Sequence, residues 1–187
     1  DNGGVEWYNF SDNGILRGIK GDFYEGGIRV PFTMQWPSKI KPGTIYDKPI
    51  IALDVFATVA SAASAEKYIR NDIDGVDILP YITGEKSGLP HKYLYWQNPD
   101  KDIDVVRDER YKYLRIKEEE YIFDLKNDIS EEINIIDSSK SIYDRLKSQF
   151  KEWEKEMIDP VFMDLGMGRE YNKLNPDRWY NTNQEIQ

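Results

Sequence analysis

Residues 1–37 read DNGGVEWYNFSDNGILRGIKGDFYEGGIRVPFTMQWP. Two kinds of pattern meet in this stretch. Residues 1–27 concentrate Gly, Asn and Asp in DNGG, SDNG, RGIKG and EGG. That is loop composition, in which glycine permits positive φ and close backbone approach. A loop this long in a compact domain is usually functional or disordered. Residues 28–36 then alternate, with Ile28, Val30, Phe32, Met34 and Trp36 on one face and Arg29, Thr33 and Gln35 on the other. The period of two predicts a strand. Pro31 favours an edge position or a bulge for it.

Downstream, Pro37 to Gly43 reads as a turn and Ile50–Leu53 as a short apolar run. Asp54 is placed to cap a helix reaching about Ala65, with Phe56, Val59, Ala60 and Ala63 as its packing face. Residues 71–90 return to irregular structure. The second half changes character. Tyr93–Trp96, Val105–Arg107, Tyr111–Ile116 and Tyr121–Leu125 are aromatic-rich strand candidates separated by polar turns at Asp108-Glu109 and Glu118-Glu119. They predict an antiparallel meander of four strands. A helix is expected from about Ser139 to Met157, capped by Ser138 or Ser139. Ile142, Leu146, Phe150, Trp153 and Met157 form its apolar stripe. The tail after Pro160 shows no period. The expected organisation is therefore α/β, with residues 1–88 ending a domain built on a mixed sheet. Residues 89–187 form a smaller antiparallel sheet-and-helix subdomain with an irregular tail.

The composition narrows the partners. The chain has 187 residues, 40% apolar and 13% aromatic, enough to build a core. No apolar run nears the ~20 residues of a membrane span. A formal net charge of -9 argues against nucleic acid as the main partner. It leaves room for an anionic substrate, because a local cluster of cations or a metal overrides the overall field. Cysteine is absent, so neither disulfides nor thiolate metal sites can form within these residues. The chain opens on a turn-forming Asp-Asn-Gly-Gly without an initiator Met, and a break in a longer protein is expected there.

The grouping that carries chemistry is carboxylate, amide and cations in one glycine-rich loop. Asp1 and Asn2 are adjacent oxygen donors of the hard type that suits Ca²⁺ or Mg²⁺. Lys20 sits between glycines in Gly-Ile-Lys-Gly, and Arg17 and Arg29 are close in sequence. A metal with fixed cations is what a transferring sulfuryl or phosphoryl group requires. Taken alone, Asp-Asn-Gly is more often simply a turn.

The ordered string D-N-G-G, then L-R-G-x-K-G-x-x-Y-E-G-G-I-R-V-P, then W-P resembles the second signature region of the sulfatases, in the alkaline phosphatase-like superfamily. Further matches follow in order. They are Ile50–Ala63, DGVDILPYITG at 74–84, VVRDERYKYLR at 105–115 and YIFDLKNDISEEINI at 121–135. The resemblance implies the C-terminal part of an alkaline phosphatase-like sulfatase fold. It also implies a sulfuric ester hydrolase acting on a sulfated carbohydrate or an aryl sulfate, in a periplasmic, extracellular or lysosome-like compartment. Sulfatases hold one Ca²⁺ with three Asp and one Asn, and the adjacent Asp-Asn of this region matches Asp1 and Asn2. A lysine roughly twenty residues on contacts the sulfate, which matches Lys20 as the catalytic and substrate-binding cation. Asp12 and Asn13 repeat the local Asp-Asn-Gly. Asp12 lies only eight residues before Lys20, whereas Asp1 lies nineteen before it. The metal expectation therefore rests on Asp1 and Asn2, and Asp12 and Asn13 are expected to shape the loop or touch substrate.

The resemblance places the formylglycine nucleophile, made from Cys or Ser in C/S-x-P-x-R, upstream of these residues. The other two Asp ligands, a second lysine and the active-site histidines belong there too. This chain alone should be inert and needs that upstream half as its partner. Other candidates carry blander alternatives. Arg17 either binds substrate or stitches the loop. Glu25 more often serves loop backbone than acid catalysis, and Arg29 more often forms a salt bridge. His91, the single histidine, is a candidate substrate contact or a surface group. Trp96 and Gln97 could approach the cleft, though Trp96 is more often core. Two other functions compete: a phosphoester or phosphonate hydrolase of the same superfamily, often with two metals, and a non-catalytic carbohydrate-binding module.

Overall fold

In a computed structural model, residues 2–5, 10–70 and 72–158 are described. The element order is α1 (Glu25–Ile28), α2 (Leu53–Ala62), α3 (Leu79–Ile82), β1 (Leu94–Asn98), β2 (Ile103–Arg107), β3 (Tyr111–Ile116), β4 (Glu119–Asp124) and α4 (Lys140–Glu154). Single 3-10 turns lie at Glu66–Tyr68, Pro99–Lys101 and Ile136–Ser138.

The predicted meander is present, with strand order β1-β2-β3-β4 and every pair antiparallel. Register follows from the alternation. Val105 pairs with Leu114 and Leu114 with Tyr121, while Val106 pairs with Tyr113 and Tyr113 with Ile122. A one-residue slip would exchange the two faces. Both faces are buried. One gathers Ile103, Val105, Leu114, Phe123 and Leu125 beneath Phe23 and Tyr24 of the N-terminal loop. The other gathers Val106, Tyr113 and Ile122 with Leu146 and Phe150 of α4. The β3–β4 turn falls at Lys117-Glu118, one residue earlier than expected, with Lys117 at φ 54.

Helix α4 matches the expected stripe through Trp153. Leu146 and Phe150 are fully enclosed, and Trp153 stacks on Tyr95 with centroids 5.0 Å apart. Met157 lies beyond the helix and is 43% exposed. Ser139 occupies the N-cap without a side-chain capping bond.

Three expectations fail, wholly or in part, in the first half. Residues 29–36 form no strand, and α1 already occupies 25–28. Alternation shows which faces could be buried, but a strand also needs a neighbour for its N–H and C=O groups. No strand precedes β1 among the described residues. Helix α2 exists, but of its expected packing face Ala60 alone is buried. Ala57, Thr58 and Ala60 are buried, whereas Phe56 and Val59 are 58% and 62% exposed. Its N-cap is Ala52, not Asp54. Asp54 is wholly buried and accepts from Ile51 N and Val76 N at 2.9 Å each, tying the 72–78 connector to the helix start. That connector passes so closely that a Cβ on Gly75 would lie 2.2 Å from Leu53 O.

Candidate functional site

The glycine loop is held by backbone and side-chain polar bonds. Asn13 is its organiser. Its Oδ1 accepts from Gly4 N at 3.0 Å, and its Nδ2 donates to Gly4 O at 3.2 Å and to Gly18 O at 3.0 Å. The side-chain amide so takes the place of a paired strand residue. Asp12 closes an Asx turn by accepting from Gly14 N at 2.7 Å. Both residues of the second Asp-Asn pair are thus engaged in shaping the loop.

Lys20 sits at the tip of a four-residue turn. Asp22 N donates to Ile19 O at 2.9 Å, and Ile19 N donates back to Asp22 Oδ2 at 3.0 Å. Gly21 at the third position has φ 95, the left-handed value a type II turn demands. The lysine is exposed there. Asn2 is also exposed, and the next residue is anchored: Gly3 N donates to Gly27 O at 3.0 Å. Packing explains the Glu-Gly-Gly that follows. A Cβ on Gly26 would meet Gly18 O at 2.3 Å, and one on Gly27 would meet Asp22 O at 2.2 Å. Helix α1 therefore lies directly against the Lys20 turn and beside Gly3. Asp1 lies outside the described residues, as does the 160–187 tail.

Beneath the loop is a buried ionic cluster that the alternation pattern concealed. Arg107 and Lys112 face each other across β2 and β3. Like charges directly opposed destabilise a sheet unless they are neutralised. Glu25 supplies the counter-charge, with Oε2 2.9 Å from Arg107 Nη1 and Oε1 3.2 Å from Lys112 Nζ. Glu131 lies on the other side of Lys112, with Oε1 2.8 Å from Nζ. That contact is an ion pair off the hydrogen-bonding direction, since the same Oε1 accepts no directed hydrogen bond. Glu25, Lys112 and Glu131 are all fully buried. Burial pushes the Glu25 carboxyl up, but Lys112 and Arg107 outweigh it and hold it below the usual range. For Glu131 burial wins, and its carboxyl is raised despite Lys112. The sequence did hold a signal for this cluster. Lys112 falls on the same strand face as Leu114 and Ile116, where a cation must find an anion.

The remaining candidates take these places. Arg17 donates from Nη1 to Glu131 O at 2.8 Å, and its guanidinium lies 4.0 Å over the Tyr24 ring. It stitches loop to subdomain. Arg29 is 3.8 Å from Glu25 Oε2 and 55% exposed, a loose salt bridge. His91 Nε2 is 2.7 Å from Asp54 Oδ1, fastening the β1 approach to α2. Burial alone would raise the Asp54 carboxyl, but His91 and the Ile51 and Val76 amides hold it low. Trp96 packs against the loop-side core. Gln97 donates to Asp104 Oδ1 at 3.3 Å and to Glu154 Oε1 at 3.0 Å. Among the described residues, no three His, Cys, Asp or Glu side chains gather into a metal-binding group, and no helix is long and apolar enough to cross a membrane.

An exposed lysine thus stands on a glycine turn, in a loop that packs on an antiparallel sheet-and-helix subdomain. Comparison with known proteins identifies the family. Residues 20–156, more than half of the chain, match the family described as N-sulphoglucosamine sulphohydrolase, C-terminal, and the chain belongs to that family. It is 41% identical over 83 residues to a steryl-sulfatase of Mus musculus, covering 44% of this chain and 13% of the relative. It is 34% identical over 126 residues to the uncharacterized sulfatase YdeN of Escherichia coli (strain K12), covering 65% of this chain and 22% of the relative. Among solved structures, Ps i-CgsB in complex with k-i-k-neocarrahexaose has the same fold. Its TM-score is 0.78 at 24% identity, over 96% of this chain and 40% of that one. The chain thus spans well under half the length of each of these relatives.

Proposed function

We propose that this chain supplies one wall of the active site of a sulfuric ester hydrolase, with Lys20 as its sulfate-binding cation. The observation that carries the reading is the Ile19–Asp22 turn. It presents Lys20 outward on a backbone locked by Asp22 and by the close approach of Gly27. A lysine so placed can bind and orient the sulfate oxygens. Its charge then helps most as negative charge develops on them in the transition state, because little reorganisation is needed.

The hard oxygen of Asn2 suits calcium as one ligand, and Gly3 fixes the backbone beside it. Asp1 and Asn2 would hold the ion together with the two further Asp ligands that the sulfatase resemblance implies. Calcium, when bound, supplies positive charge at the sulfate oxygens. The nucleophile, expected to be a formylglycine, lies outside these residues. A protein of the same fold holds k-i-k-neocarrahexaose. On that likeness of fold, and on the sulfatase relatives, we place the substrate among sulfated carbohydrates.

The test uses the intact protein. It should release sulfate from sulfated oligosaccharides and bind calcium, and Asn2→Ala should weaken that calcium binding at least tenfold by calorimetry, since losing even an outer-shell partner costs about 10-fold or more. Turnover of phosphate or phosphonate esters in preference to sulfate esters, or unchanged calcium affinity in Asn2→Ala, would overturn the reading.

A further inference from the structure

We propose that Glu131 is a positioning residue for the turn that carries Lys20, an inference that rests on the sulfate-binding reading of that lysine. The segment from Arg17 to Glu25 holds the turn, and both of its ends are fastened to this one residue. At one end, Arg17 Nη1 donates to the main-chain oxygen of Glu131 at 2.8 Å. At the other, Glu25 N donates to Glu131 Oε2 at 2.5 Å. The two ends also meet each other, since Gly26 N donates to Arg17 O at 2.7 Å. The partners are 114 and 106 residues apart in sequence, so Glu131 joins regions that share no local structure.

Glu131 is itself held rigidly. It is fully buried, and Lys112 of β3 lies 2.8 Å from its Oε1 while also reaching Glu25. Its φ is 55, a conformation that glycine adopts freely and that a side chain disfavours. Glycine would fit the backbone but could not offer the carboxylate. A residue that keeps a strained conformation and uses both its main-chain and side-chain oxygens on one loop serves that loop's position. A shift of Glu131 would move both ends of the Lys20 segment together.

The test is a double-mutant cycle on sulfate-ester hydrolysis by the full-length protein, using Lys20→Ala, Glu131→Ala and the double variant. Glu131→Gln serves as the conservative control, because its amide oxygen can still accept from Glu25 N. Glu131→Ala should lower kcat/KM by on the order of 10²-fold when Lys20 is present. When Lys20 is already alanine it should lower kcat/KM by less than about threefold. Glu131→Gln should stay within about tenfold of wild type. If Glu131→Ala yields no folded protein, Glu131→Asp, whose carboxylate is drawn back by one methylene from Glu25 N, runs the same cycle and must show the same non-additivity. Equal losses in both backgrounds would mean that Glu131 supports the fold alone, and the inference falls. An unaffected Lys20→Ala would instead bring down the reading of Lys20, and the inference with it.

Discussion

The glycine loop and the antiparallel sheet are stabilised by different means. The sheet buries apolar side chains on both faces, with Val105, Val106, Leu114 and Ile122 wholly enclosed. In the loop, by contrast, Phe10 and Ile15 are 93% and 71% exposed. The loop keeps its shape through Asn13, through Asp12 and Asp22, and through glycines that admit backbone to within contact distance. The sheet can tolerate small shifts because dispersion and apolar burial are nondirectional. The loop cannot, because hydrogen bonds fail steeply with angle and distance. The comparison teaches a division of labour: the sheet-and-helix subdomain is the anvil, and the loop borrows its rigidity through Glu25, Lys112 and Glu131.

The widest separation between the two regions should come from the apolar core. Phe150→Ala should cost about 4 kcal/mol in urea unfolding, without altering kcat/KM of the fraction that remains folded. Breaking the bridge between the regions comes next. Lys112→Met leaves the buried Glu131 without its cation and Glu25 with Arg107 and Arg29 alone, and should cost about 3 kcal/mol. Unlike the Phe150 change, it should also depress turnover, because Glu25 and Glu131 lose their shared cation. Equal catalytic behaviour of these two variants would erase the proposed division. Gly26→Ala should cost about 2 kcal/mol, since the new methyl would sit 2.3 Å from Gly18 O, and its damage should be confined to the loop.

The smallest effect concerns pH and belongs to the sheet. Glu120 accepts from Tyr113 at 2.6 Å, from Tyr143 at 2.7 Å and from Lys147 at 2.7 Å. Burial opposes ionisation there, but Lys147 and the two phenols prevail and hold the carboxyl at about 2, against 4.5 for the ordinary group. A depressed carboxyl contributes stability that is present above the unfolded value and is lost as pH falls toward the folded one. Stability should therefore decline by on the order of 1–2 kcal/mol between pH 4.5 and 2 through this group. Glu120→Gln should flatten that part of the acid profile. An unchanged acid profile in the variant would remove Glu120 from the account.

The sheet was legible in the sequence for the same reason that it is robust. Alternating aromatic and β-branched residues in β1 to β4, and the Ile142–Trp153 stripe of α4, carry their partners nearby in the chain. The loop's residues were legible only as types. Lys20 and Asn2 stood out, yet nothing local foretold that Asn13 would bridge Gly4 and Gly18, or that Arg17 would reach Glu131 across 114 residues. The alternation at 28–36 misled because a period of two describes faces and not a hydrogen-bonding neighbour. Helix α2 misled in a related way. Its larger side chains Phe56 and Val59 suggested the buried face beside Ala60, but Ala57 and Thr58 are buried with Ala60 instead, and Thr58 Oγ1 accepts from Ile78 N of the 72–78 connector. The cluster under the loop was readable in principle from Lys112, a cation on an apolar strand face.

On the proposed function, the loop presents Lys20 to a sulfate group, while most of the stability resides in the sheet and α4. Steady-state hydrolysis of a sulfated oligosaccharide by the full-length Lys20→Ala variant, with its unfolding midpoint measured in parallel, tests this most directly. The account predicts a fall in kcat/KM on the order of 10²-fold or more, with the midpoint essentially unchanged. Wild-type kcat/KM, or a loss of activity that merely tracks a loss of folded protein, would contradict it.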